Sequence, residues 1–166
     1  MTSDTLNFDP TAMGDALKRR IKQAKFESPM QEAMLNLMVA SNYLRERIER
    51  AVTEHGVTLP QYNVLRILRG VHPEGHPRCE IAARMLDRAP DVTRIIDRLE
   101  EKKLVARDRT GADRRHSITR ITDAGLQTLD QVDPRIRELF GELSDRFDDQ
   151  QLTQLSRLCE SLYESS

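Results

Sequence analysis

Val92, Ile95, Ile96 and Leu99 stand at i, i+3, i+4 and i+7. That spacing puts four apolar side chains on one face of a helix. The opposite face then carries Asp91, Thr93, Arg94, Asp97, Arg98 and Glu101. Pro90 falls near the helix start, where its missing N–H costs nothing. A shorter apolar set precedes it: Ile81, Ala82, Met85 and Leu86. Only a few residues around 87–89 separate the two sets, so the reading is helix, tight turn, helix.

The residues beyond the second helix narrow the choice. Leu104-Val105-Ala106-Arg107 reads as a short strand, and Ser117-Ile118-Thr119-Arg120-Ile121 as a second, with β-branched residues alternating with polar ones. Residues 108–116 form a polar loop with Gly111 as its turn residue. The loop holds Arg109, Arg114 and Arg115 beside Asp108 and Asp113. Two helices and a basic-tipped hairpin make a winged helix-turn-helix, in a chain expected to be mainly α with a small β component (α+β).

Several blocks are similar to one known family. They are Leu59-Pro60-Gln61-Tyr62-Asn63-Val64-Leu65, Glu80-Ile81-Ala82 and the run from Val92 to Glu100. Leu104 to Arg107, Asp113-Arg114-Arg115 and Ile121 to Gly125 complete the set. In this order they resemble the MarR family of bacterial transcriptional regulators, over roughly residues 28 to 162. The resemblance implies a MarR-like domain over 28–166, with a winged helix-turn-helix at about 58–122. Dimerisation helices are implied at about 28–55 and 122–163, and residues 1–27 stand as a partly helical extension. It also implies a homodimer on double-stranded DNA, usually a repressor, released by a small aromatic effector. Asp113 and Arg115 match the family's Asp-x-Arg wing pattern, in which the acid holds the arginine in place.

At 166 residues, one domain with its own core is expected. Cys79 and Cys159 lie far apart in no paired pattern, which fits a reducing compartment. No apolar run approaches the roughly 18 residues of a membrane span, and the N-terminus lacks a signal-peptide layout. A cytoplasmic protein with no membrane partner is the expectation. The net charge of −1 conceals an asymmetry. Residues 78–120 hold twelve Lys/Arg against eight Asp/Glu, and the remainder fourteen against nineteen. A local basic excess, more than total charge, marks a nucleic-acid footprint.

In chain order, residues 16–25 suggest a short basic helix. It is either an arm touching phosphates or the dimer, or a solvated helix docked through Leu17 and Ile21. Ser28-Pro29-Met30-Gln31 has the layout of a capping box opening a helix from Pro29 to about His55, with Gly56 as its stop. Met34, Leu37, Met38, Ser41, Leu44 and Ile48 line one side of it. Such residues are ordinarily core; the resemblance also allows Met34, Met38 and Tyr62 to line an effector cavity. Thr58 to Gln61 is a second capping box, before a support helix burying Tyr62, Val64, Leu65 and Leu68. Residues 71–79 read as a loop. Its His72, His76 and Cys79 match no standard zinc spacing, so no metal is assigned. Thr122-Asp123 caps the next helix, which Pro134 is expected to kink or restart. A last helix, Asp149 to Leu162, aligns Leu152, Leu155, Leu158 and Leu162 on one face that suits a subunit interface.

A helix fits the DNA major groove, and its N-terminal residues reach base edges first. Here those are Pro90, Asp91, Thr93 and Arg94. Arg94 suits a guanine through two donors. Thr93 suits a thymine methyl or a phosphate, and Arg98 a phosphate. Asp91 either accepts from cytosine or orients an arginine such as Arg88 or Arg94. The wing, with Arg109, Asp113, Arg114 and Arg115, would enter the minor groove. Two copies on a two-fold axis would read a pseudo-palindrome. No Gly-rich phosphate loop, nucleophile grouping or paired carboxylate cleft is present, so neither an enzyme nor a cofactor is expected. The competing reading is a winged-helix protein-interaction module; the clustered arginines weigh against it.

Overall fold

The computed structural model describes residues 15–87, 91–108 and 117–164. Seven helices and three strands are formed among them. They are α1 (Asp15–Ile21), α2 (Pro29–Thr53), α3 (Leu59–Arg69), β1 (His76–Pro77) and α4 (Arg78–Arg84). Then come α5 (Val92–Glu101), β2 (Val105–Asp108), β3 (Ile118–Ile121), α6 (Asp123–Ser144) and α7 (Asp149–Glu160). The mainly α winged helix-turn-helix expected from the sequence is what forms. The chain gathers into two compact units, one of residues up to Glu46 with those from Phe140 onward, the other Arg47–Leu139.

Capping explains where the helices begin. Thr58 Oγ1 accepts from the Gln61 backbone N–H at 3.4 Å, and Gln61 Oε1 accepts from the Thr58 N–H at 3.1 Å, a complete capping box for α3. At α2, Ser28 Oγ accepts from Gln31 N–H at 3.2 Å, while Gln31 Oε1 accepts from Glu27 one residue further back, at 2.7 Å. Gly56 closes the far end of α2 with a φ of 75°.

The unit Arg47–Leu139 has its core under α5. Ile96 and Leu99 are essentially inaccessible, as are Leu65, Leu68 and Ile81 on α3 and α4. Helix α3 packs on α4, α5 and β3, and α5 packs on α4 and β2. From α6, Leu129, Val132 and Ile136 enter the same cluster.

Four expectations need correction. The stretch 71–79 is not all loop: His76 and Pro77 form an edge strand paired antiparallel with Thr119 and Ile118. Two residues give no alternation to read, and a proline is tolerated at a sheet edge. Gly75, at φ 78°, makes the approach possible, since a Cβ there would lie 2.3 Å from the Thr119 carbonyl oxygen. The sheet order is therefore β1-β3-β2, with Val105 opposite Ile121 and Asp108 opposite Ile118. Secondly, Pro134 does not restart the helix: α6 runs unbroken from Asp123 to Ser144. Leu129, Val132, Ile136 and Leu139 bury one helical face on both sides of Pro134, whose ring is exposed. That burial outweighs the lost hydrogen bond. Thirdly, Leu86 does not join the apolar set of α4. The helix ends at Arg84, Met85 is extended and buried, and Leu86 is 86% exposed. Lastly, Ser41 and Met38 of the apolar side read along α2 are exposed, while Met34, Leu37, Leu44 and Ile48 are half-buried.

Two ties hold the part of α6 that belongs to this unit. Thr122 Oγ1 accepts from Gly125 N–H at 3.1 Å and donates to the Lys103 carbonyl at 2.8 Å, capping the helix against the end of α5. Further along, Asp133 accepts from the Tyr62 hydroxyl at 3.0 Å and from Arg69 at 2.6 Å. Burial of the ring, then the Asp133 hydrogen bond and charge, push the Tyr62 phenol above its ordinary pKa of 10.0; Arg66 and Arg69 oppose the shift.

Gly125 is wedged where a Cβ would lie 2.3 Å from the Leu104 carbonyl oxygen and 2.7 Å from Ile121 Cγ1. Backbone cannot yield as a side-chain tip can, so Gly125→Ala should lower stability by about 1–3 kcal/mol, read as a fall in the urea midpoint. The Tyr62 shift predicts a pH effect. An unfolded chain releases that proton near 10.0 and the folded chain later, so the contribution is whole below pH 10 and is lost as pH climbs through the folded pKa. Tyr62→Phe should cost about 1 kcal/mol at pH 8. The gap between the two proteins should close in unfolding curves above pH 10.

Candidate nucleic-acid interface

Helix α5 carries the residues expected to read DNA. Its inner face is fixed by Val92, Ile96 and Leu99, all buried. Thr93, Arg94 and Arg98 fall on the other side, and all three are exposed. No described residue forms an ion pair with Arg98, which leaves its guanidinium to solvent.

Asp91 lies against Arg94, one of the arginines considered for it. Its Oδ1 accepts from the Arg94 backbone N–H at 3.3 Å, capping α5, and its Oδ2 lies 3.2 Å from Arg94 Nε. One carboxylate thus starts the helix and steers the side chain three residues on. Nε is occupied while the terminal nitrogens of the guanidinium remain available for a two-donor contact. Arg94 is 80% exposed, so this is a steering contact with little stability of its own.

Pro90, Arg109, Asp113, Arg114 and Arg115 lie outside the described residues, as do Arg88 and His116. The base of the hairpin is described. Arg120 Nη1 lies 3.1 Å from Asp108 Oδ2 across the β2–β3 pair. Arg107, on β2, ion-pairs with Asp97 of α5 and reaches Glu100 Oε2 at 3.6 Å. Lys102, at the end of α5, donates to the Gly56 carbonyl at 2.6 Å and to Gln61 Oε1 at 3.4 Å. Reading the sequence placed Asp97 on the polar face and left Arg107 as a strand residue. A signal was present: Val105 points inward, so period-2 alternation turns Arg107 inward too. A cation there requires partners.

The residues considered for an effector fall in different units. Met34, half-buried, and Met38, 62% exposed, lie in the unit with α1 and α7; Tyr62 is buried in the other, bonded to Asp133. Of the loop residues, His72 and Cys79 are exposed, and His76 is held in β1 with its Nε2 buried.

Comparison with known proteins places this arrangement. A family model described as "MarR family" matches residues 55–116, the span from just past α2 to just before β3. A solved MarR transcription factor of Planctomyces limnophilus is 37% identical, with a TM-score of 0.64, over 82% of this chain and 98% of that one. The HTH-type transcriptional regulator YkoM of Bacillus subtilis is 31% identical over 108 residues, 63% of this chain and 69% of the relative. The Staphylococcus aureus MepR–DNA complex, 19% identical over 78% of this chain and 94% of that one, shares the fold with a TM-score of 0.68. None of the helices described is long and apolar enough to cross a membrane. With those identities across a whole winged fold, the chain belongs to the MarR family of transcriptional regulators.

Proposed function

We propose that this regulator is a cytoplasmic homodimer that reads a pseudo-palindromic DNA site with α5 and acts as a repressor. The observation that carries the reading is the orientation of α5. Its apolar face is consumed by the core, and its N-terminal turn presents Thr93 and a carboxylate-steered Arg94. A recognition helix in the major groove needs that arrangement. Arg98, one turn further on, suits a phosphate. The hairpin springs from β2 and β3, beside α5, where a wing can follow into the neighbouring minor groove.

Dimerisation is supported by the other unit. Leu155, Leu158 and Leu162 are each at least half exposed, and Tyr163 is 72% exposed. They lie on or just beyond α7, at the spacing of one helix face. So much contiguous apolar surface marks an interaction site, and a two-fold pair would bring two reading helices to half-sites about one DNA turn apart.

Arg94→Ala should weaken binding to the DNA selected by the wild-type protein from a random-sequence pool by about 1–3 kcal/mol. Anisotropy titrations over a range of salt concentrations measure it. The same substitution should leave the thermal midpoint nearly unchanged, because the side chain is exposed. Leu155→Glu should halve the mass found by sedimentation equilibrium at micromolar concentration. A variant that stays dimeric would remove α7 from the interface.

A further inference from the structure

Reading two grooves at once demands a fixed angle between the major-groove helix and the minor-groove hairpin. Resting on the DNA-reading role above, we infer that Arg107 is the positioning residue that sets this angle. Its side chain is 17% exposed, half as accessible as that of Arg69 in its pair with Asp133. It comes from β2 and meets two carboxylates of α5, Asp97 and Glu100, three residues apart on the same face. A guanidinium has several N–H donors in a rigid plane, so two acceptors restrain its orientation as well as its distance. An ammonium, as a point charge, would leave the strand free to swivel.

The restraint passes onward from β2. The next residue, Asp108, pairs with Arg120 of β3, which stands opposite Ala106 in the register. The contact therefore runs diagonally over the sheet, and both strands at the base of the hairpin are tied to α5 through successive side chains. The far end of α5 is held independently, by Lys102 on Gly56 and Gln61. Helix α5 is thus seated on the core without Arg107; what Arg107 adds is the direction in which the hairpin leaves.

Asp97→Asn makes the test decisive, because charge and positioning predict opposite signs. Removing a carboxylate beside a DNA-facing helix strengthens binding if electrostatics alone matters. If Arg107 positions the wing, Asp97→Asn and Arg107→Gln both reduce discrimination between the selected duplex and a scrambled duplex of equal length. The ratio should fall about tenfold in each, comparable to one mismatched base pair. Arg107→Lys should fall between wild type and Arg107→Gln. Hydroxyl-radical footprints should lose the minor-groove protection given by the wing and keep that over the α5 half-site. Circular dichroism melts confirm that each variant is folded at the assay temperature, and Arg107→Lys serves if the Gln variant is not. Tighter binding by Asp97→Asn with an unchanged ratio overturns the inference and leaves the DNA-reading role standing. Failure of the wild-type protein to enrich any duplex overturns that role, and the inference with it.

Discussion

Burial of Ile96 and Leu99 decides what α5 can show to its surroundings. Both are essentially inaccessible, packed against the helices that support α5. A helix turns about 100° per residue, so fixing these two fixes every other side chain on the element. Arg94 is two residues before Ile96 and Arg98 two after it; each lands on the opposite side with no further instruction. The interaction that stabilises the fold is thus the one that aims the reading surface. Core and site are two faces of the same ten residues.

The carboxylates near that surface are a burden for a protein that meets phosphates. The structure gives several of them local work. Asp91 caps α5 and holds Arg94, Asp97 and Glu100 hold Arg107, and Asp108 holds Arg120. Asp91 and Asp108 each lie against one cation, and Asp97 and Glu100 share Arg107, so most of this negative charge is offset locally. The net charge of −1 is therefore a poor guide to the potential over α5. Cations with no such partner among the described residues, Arg98 for one, set it.

The helices were legible because each carries its own punctuation. Thr58-Leu59-Pro60-Gln61 caps itself, Gly56 stops α2, and the apolar period of α5 survives any neighbour. Strands β2 and β3 were legible to within a residue for the same reason. The features that could not be read depend on partners distant in sequence. Strand β1 exists only because β3, some forty residues later, offers an edge. The unbroken course of α6 past Pro134 is decided by the core residues that Leu129, Val132 and Ile136 meet. The outward turn of Leu86 comes from the early end of α4. The outward placement of Arg94 and Arg98 was legible from periodicity, whereas Arg107 meets Asp97 ten residues away through a turn that no local pattern specifies.

The same distinction bears on where the reading lobe ends. Sequence logic makes a winged helix-turn-helix complete at β3, with the helix after it left for dimerisation. Packing adds the first part of α6 to that lobe. Gly125 sits against the Leu104 carbonyl, Leu129, Val132 and Ile136 enter the core under α5, and Asp133 ties Tyr62 and Arg69 of α3. Removing α6 would expose that core face and strip the Tyr62 hydroxyl of its acceptor, a loss that a small domain cannot absorb. The segment of α6 up to Leu139 is therefore a structural member of the reading lobe. From α6 onward, the large apolar residues left exposed begin with Phe140 and include the leucines of α7.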